Sequence, residues 1–209
     1  METLEHVVIS LAAQDLRDRV LIDRTKQNAH RSPGVHLSGI LKYLAYSPGG
    51  ALADGKAQGE PSDFEETYPT VVACGHMWEE FCVSLYPSLI WQPGPRERNG
   101  IIGTPDGLNF GLSFKDLELD VLEEAKFTTK SMRTPDTWPW WWVRQGLGLC
   151  ALHGLFHVRW HSLWAHGGYK GKRWEHLPVY TRTLVEFSER EVEGWWKVLV
   201  KNKDKAEPE

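Results

Sequence analysis

Cysteine is scarce in this chain of 209 residues: Cys74, Cys82 and Cys150 are the only three, an odd number at wide spacing with no Cys-x-x-Cys pair. That scarcity excludes a disulfide framework, a cysteine-rich zinc site and an iron–sulfur cluster. Long apolar runs are lacking too. No stretch approaches the roughly 18 uncharged apolar residues a membrane helix needs, so no membrane partner is expected. The first residues carry Glu2, Glu5 and His6 instead of a basic start followed by an apolar run, so no secretory signal is expected. The expected setting is reducing and cytoplasmic.

Positive charge is also in short supply, with 24 Lys and Arg against 28 Asp and Glu, a net charge of −4. Phosphate binding depends on Lys and Arg, so this balance at first disfavours a nucleic-acid partner. The distribution softens the objection. Acidic residues gather in 116–124 and in the tail at Glu207 and Glu209, whereas Lys170, Lys172 and Arg173 make a local basic turn suited to a phosphate backbone or to a solvated hairpin tip. An acidic pocket that holds a divalent metal gains from the ion the positive charge the sequence lacks. What is abundant is tryptophan, 11 in all, with Trp138, Trp140, Trp141 and Trp142 crowded together. Such a cluster fills a core, docks a partner or stacks on unpaired bases.

Periodicity predicts one domain at 63–201, preceded by an N-terminal helical appendage and loop at 1–62 and followed by a charged tail at 202–209. Ser38 is the expected cap of a short helix that ends at Ser47–Pro48. Apolar positions from Tyr68 to Leu85 recur at the helical period, capped by Asp63 and stopped by Pro87. Short apolar runs at 89–91 and 99–103 read as strands. After a turn region, Leu117, Leu119, Val121, Ala125 and Phe127 alternate with Glu118, Asp120, Glu124, Lys126 and Thr128, which predicts a strand with one face for the core and one for chemistry. A glycine-interrupted helix follows at 140–154, then strands at 156–164 and 179–187. Ser188 with Glu191 reads as a capping box for a last helix through Lys201. The element order implies an α/β class with helices around a mixed central sheet.

The chemistry concentrates in Gly103-Thr104-Pro105-Asp106-Gly107 and Glu124-Ala125-Lys126. Alternation along a strand puts Glu124 and Lys126 on one face, roughly 7 Å apart. The 17 residues between Asp106 and Glu124 suffice for one hairpin to bring the two carboxylates together. Two carboxylates that converge repel each other unless a cation sits between them, and hard oxygen ligands select Mg2+ or Mn2+. Such an ion activates water against a phosphodiester, and Lys126 can orient that water or neutralise developing charge.

With these motifs the chain resembles the PD-(D/E)XK nuclease superfamily: Pro105-Asp106 and Glu124-Ala125-Lys126 stand where its signature does. It is similar to the phage and recombination exonuclease branch in two further places, the Gly75-His76-Met77-Trp78-Glu79 stretch and Gln145. The resemblance covers about residues 63–187 and implies a restriction-endonuclease-like fold and cleavage of DNA. It implies metal ligation by Asp106, Glu124, the Ala125 carbonyl and Glu79, assistance by Lys126, and contact with DNA or water by Gln145. Alternative roles are a nuclease-fold structural or DNA-end-binding component of a phage or replication assembly, and a junction resolvase, which would require a two-fold dimer. Neighbouring Glu80 competes with Glu79, and His76 reads as a ligand or as a structural histidine. The spacing of His153, His157 and His161 would make a zinc stripe only on a continuous helix, and Gly154 argues that the helix has ended.

Overall fold

Strong alternation around Glu124 produces the central strand of a mixed sheet. The computed structural model describes residues 34–46, 69–129, 138–165 and 179–206. Its larger sheet runs in the order β2 (Ile90–Trp91), β5 (Gly107–Phe114), β6 (Leu117–Thr128), β7 (His157–Trp164) and β8 (Val179–Glu186). β6 and β7 are parallel and the other neighbours antiparallel. A smaller sheet holds β4 (Ile101–Gly103) between β1 (Val35–His36) and β3 (Arg96–Arg98). The helices are α1 (Leu37–Tyr46), α2 (Pro69–Leu85), α3 (Trp140–His153) and α4 (Glu189–Ala206). The protein thus has the expected α/β class, a mixed central sheet flanked by helices. No helix among the described residues is long and apolar enough to cross a membrane, and the three cysteines are free.

A parallel pair needs a crossover, and α3 supplies it between β6 and β7. α3 joins α1 and α4 in the main core against Leu122, Val158 and Trp160, while α2 packs Trp78 and Cys82 against Ala125 on the opposite face of β6. β6 is therefore buried on both faces from Val121 to Ala125. The expected division into one face for the core and one for chemistry therefore does not leave the second face open: a strand covered by helices on both sides shields either parity. The same reading put Leu117 in the core, but it sits 60% exposed at the far end of the strand.

The stretch read as a turn before β6 is itself a strand. β5 and β6 form a hairpin closed by Lys115 and Asp116, both at positive φ, as a two-residue turn between twisted strands requires. A bulge interrupts the ladder between Asn109 and Leu112, and there the Gly111 N–H donates to Asp120 Oδ1 at 3.0 Å.

Three boundaries move. α1 starts at Leu37, so Ser38 is not its cap, and Val35, Leu37, Ile40 and Leu41 belong to the main core instead of to an appendage. α4 begins at the capping box, where Ser188 N–H and Oγ–H donate to Glu191 Oε2 at 2.9 and 2.6 Å. It runs past Lys201 to a buried Ala206, so residues 202–206 are helix and not tail. Residues 1–33, 47–68, 130–137, 166–178 and 207–209, and with them the expected N-terminal helix, the basic turn at Lys170, Lys172 and Arg173 and the Asp63 cap, lie outside the described residues.

The glycines of α3 have a packing role. A Cβ on Gly146 would stand 2.7 Å from the Trp160 ring, so this helix presses on β7 at a distance only glycine allows. Gly154 ends α3 at φ 68 and returns its N–H to the Cys150 carbonyl. Gly194 in α4, by contrast, faces open space. Gly146→Ala is expected to lower the unfolding free energy by about 1–3 kcal/mol through overpacking. Gly194→Ala should raise it by up to about 1 kcal/mol through helix propensity. Urea titration of the two variants measures both signs.

Candidate active site

Hairpin register brings the motif residues together. Gly107 pairs with Glu123, so Asp106, just ahead of β5, falls beside Glu124 and Ala125. There the β5 ladder has ended, and the Ala125 N–H donates to the Asp106 carboxylate, at 2.7 Å from Oδ2. The Asp106 N–H in turn points at Glu124 Oε1 at 3.4 Å, and the Asp106 carbonyl accepts from the Gln92 N–H at 2.8 Å. Lys126 Nζ donates to Glu124 Oε2 at 2.6 Å and lies 3.8 Å from Asp106 Oδ2. Asp106, Glu124 and Lys126 therefore converge on one point at the C-terminal end of β6.

The three groups are poorly hydrated: their side chains are 25%, 1% and 15% exposed. Burial, reinforced by the Glu124 and Glu79 carboxylates, holds Asp106 well above the usual carboxylate range, in spite of the opposing Lys126 charge. Burial alone would lower Lys126, but the Glu124 and Asp106 carboxylates outweigh it and keep the ammonium above its usual value. Lys126 is thus a fixed cation and a hydrogen-bond donor, not a base.

Glu79 is on α2, close enough to bias Asp106 and Lys126 electrostatically, while its own carboxylate lies 3.7 Å from His76 Nδ1. Its neighbour Glu80 is exposed. Gln145 is half-buried on α3, next to the Gly146 that packs on Trp160, and Trp160 is the β7 residue in register with Glu124. Gln145 therefore stands on the helix that covers the Glu124 side of the sheet, with no described contact to the three converging groups. The tryptophan cluster divides: Trp138 and Trp142 are core residues against Trp160, whereas Trp140 and Trp141 remain 43% and 39% exposed. His153 ends α3, and His157 and His161 lie on β7, so the three make no helical stripe.

Sequence reading missed the charged network behind the site. Glu123, fully buried, grips Arg159 with both carboxylate oxygens and accepts from His161 Nε2 at 2.8 Å. His161 Nδ1 meets Tyr180 Oη at 2.8 Å, and Tyr180 Oη meets Tyr86 Oη at the same distance. Burial would raise Glu123, yet the His161 and Arg159 hydrogen bonds prevail and hold it below the usual range. The available signal was parity: Glu123 shares the core parity of Val121 and Ala125, and a charge there demands a buried partner.

Among the described residues no three ligating side chains form a ready-made metal cage. The donor set nevertheless fits a hard divalent cation. Two carboxylates converge beside one ammonium, with Asp106 raised by burial and by the Glu124 charge, and Mg2+ commonly binds through one or two carboxylates with water and substrate oxygens completing its shell. Asp106 and Glu124 would hold the ion, joined by the Ala125 carbonyl, with Glu79 completing the shell directly or through water.

No family model matches the chain, and no curated protein does. Among solved structures, the crystal structure of SSO0001 is similar at a TM-score of 0.54 and 8% identity, over 93% of this chain and 86% of that one. A phage-related exonuclease from Haemophilus somnus 129PT is similar at 0.49 and 8% identity, over 86% of this chain and 96% of that one. LHK-Exo, an alkaline exonuclease from Laribacter hongkongensis solved in complex with dAMP, gives 0.45 and 15% identity, over 82% and 90%. The last two superpose too loosely to bear on fold or reaction. At this identity the likeness to SSO0001 concerns the fold alone: the chain is a mixed α/β protein of that general architecture.

Proposed function

We propose that the chain is a metal-dependent nuclease that hydrolyses DNA phosphodiester bonds, using Mg2+ or Mn2+ and acting on DNA ends in recombination, repair or phage DNA processing. The observation that carries this reading is the convergence of Asp106, Glu124 and Lys126, with Lys126 Nζ 2.6 Å from one carboxylate and 3.8 Å from the other. The motif order in the sequence supports it independently. Asp106 and Glu124 would hold the metal, and an ion bound there would supply positive charge beside the phosphate and make water more acidic.

The chain's own groups divide the remaining work. Lys126, held protonated and screened from bulk water, faces the charge that develops on the phosphate oxygens, where a fixed ammonium is worth more than in solution. The Ala125 N–H and the backbone bonds around Asp106 fix the Asp106 carboxylate before substrate arrives. Glu79 adds negative charge at the α2 side of the pocket. Gln145 on α3 is assigned to the DNA strand or to water. Lys170, Lys172 and Arg173 are assigned to phosphates farther along the duplex.

Linear duplex, circular and branched DNA incubated with Mg2+ or Mn2+ test the reading. Cleavage is expected, abolished by EDTA and reduced about 100-fold or more in Lys126→Ala. Products from linear but not circular DNA would establish action at ends. Intact DNA in every condition would refute the proposal.

Electrostatics gives a second test. Asp106 carries its proton at pH values where an ordinary aspartate has lost it, so metal must displace that proton. Metal affinity is therefore expected to rise with pH through the folded-state pKa of Asp106, with proton release detectable by calorimetry in buffers of different ionisation enthalpy. Without metal, the raised pKa makes the folded chain lose stability as pH rises through the same range. Asp106→Asn should accordingly melt at or above the wild-type temperature in EDTA at neutral pH and lose the upward shift that Mn2+ gives the wild type. A Mn2+ shift retained in Asp106→Asn would remove this residue from the metal site.

A further inference from the structure

Ser162 contains a polar atom with nothing to bind. It lies on β7 in direct register with Lys126, and residues paired in this way project to the same face of the sheet. It is only 4% exposed, and its Oγ has no hydrogen-bond partner among the described residues. Leaving a hydroxyl buried and unpaired costs about 1–3 kcal/mol. An isosteric alanine would escape that cost, so a serine here calls for a ligand that meets it.

The surroundings narrow the choice of ligand. On the same face, Lys126 directs its ammonium to Glu124 and Asp106. Trp160, two residues earlier on β7, leaves an indole N–H unpartnered as well, but its ring is locked under Gly146 in the core. The Lys126 ammonium is already spent on two carboxylates and the Trp160 indole is held in the core, so the capacity left open on this face is the Ser162 O–H itself, which needs an acceptor oxygen. Ser162 is the register partner of the lysine that reaches both carboxylates, which sets its hydroxyl on the side where they converge. Its depth is no obstacle, since the Glu124 side chain is itself 1% exposed.

We propose that the Ser162 hydroxyl donates a hydrogen bond to a non-bridging oxygen of the phosphodiester being cut, alongside Lys126. The inference rests on the nuclease reading and adds a substrate-contacting residue from the neighbouring strand. A charge-assisted bond of this kind strengthens as charge builds on the phosphate, so its loss falls on kcat rather than on KM.

Wild type, Ser162→Ala, Ser162→Thr and Lys126→Ala are compared on linear duplex DNA with Mn2+, with kcat and KM determined separately and urea stability measured in EDTA. Ser162→Ala is expected to lose about 10- to 100-fold in kcat at a KM within about twofold of wild type, and to be at least as stable, because the orphaned hydroxyl is gone. Ser162→Thr, which keeps the hydroxyl, should recover most of the rate. Three results overturn the inference while leaving the nuclease reading in place: an alanine variant as fast as wild type, an equal rate loss in both serine variants, or a rate loss matched by a loss of stability. A wild type that leaves the DNA intact overturns the nuclease reading itself, and this assignment with it.

Discussion

Two adjacent carboxylates, Glu123 and Glu124, are fully buried on the central strand of the sheet and project to opposite sides of it. Ionised carboxylates do not survive in a protein interior without partners, because their lost hydration exceeds what the core returns. Each face of β6 therefore has to bring up its own cation. On the α2 side, Arg159 and His161 meet Glu123, and the hydrogen bonds continue through Tyr180 to Tyr86. On the α3 side, Lys126 meets Glu124, with Asp106 arriving from the hairpin as a third charge. Much of the architecture follows from that requirement. β7 must lie parallel and in register to present Arg159 opposite Glu123, and a parallel neighbour in turn requires the α3 crossover that roofs the site.

The two sides are not equivalent. Glu123 is saturated, held by a bidentate guanidinium and an imidazole, and its carboxyl is stabilised as the anion. The other side has two carboxylates and one ammonium, and burial together with that imbalance raises Asp106 above the usual carboxylate range. A fold could have matched every charge. Among the described residues the Glu124 face is the one left short of positive charge, which is why the proposed cation is assigned there and not to the Glu123 cluster, and the orphaned Ser162 hydroxyl on the same face adds an unfilled donor to it.

How much of this was readable from the residues varied with how local the cause was. The convergence of Asp106 with Glu124 and Lys126 needed only strand alternation and a hairpin, both short-range, and the α3 stop at Gly154 and the Ser188–Glu191 box were equally local. The hairpin was expected, but its first strand and the place of its turn were obscured because Lys115 and Asp116 close it without the usual Asn-Gly, and because the bulge at Gly111 breaks the alternation of β5. Burial of both faces of β6 could not be read from β6 alone, since it depends on helices from distant parts of the chain. Residues 35–46 were assigned to an appendage for the same reason: ten helical residues declare their amphipathicity, but not which core they enter.

Glu123 shows where local reading stops. Within β6 it looks like one more acid in an acidic stretch, and its significance appears only when Arg159, 36 residues later, lies across from it. Glu124, its neighbour, was singled out because its partner Lys126 is two residues away. The same chemistry, a buried carboxylate with a cation, is thus visible or invisible in sequence according to the contact's separation. The network missed for that reason holds β6 and β7 in register, and that register sets Ser162 beside Lys126 and Trp160 beside Glu124. The relative placement of Asp106, Glu124, Lys126 and Ser162 therefore depends on a set of charges on the opposite face of the sheet.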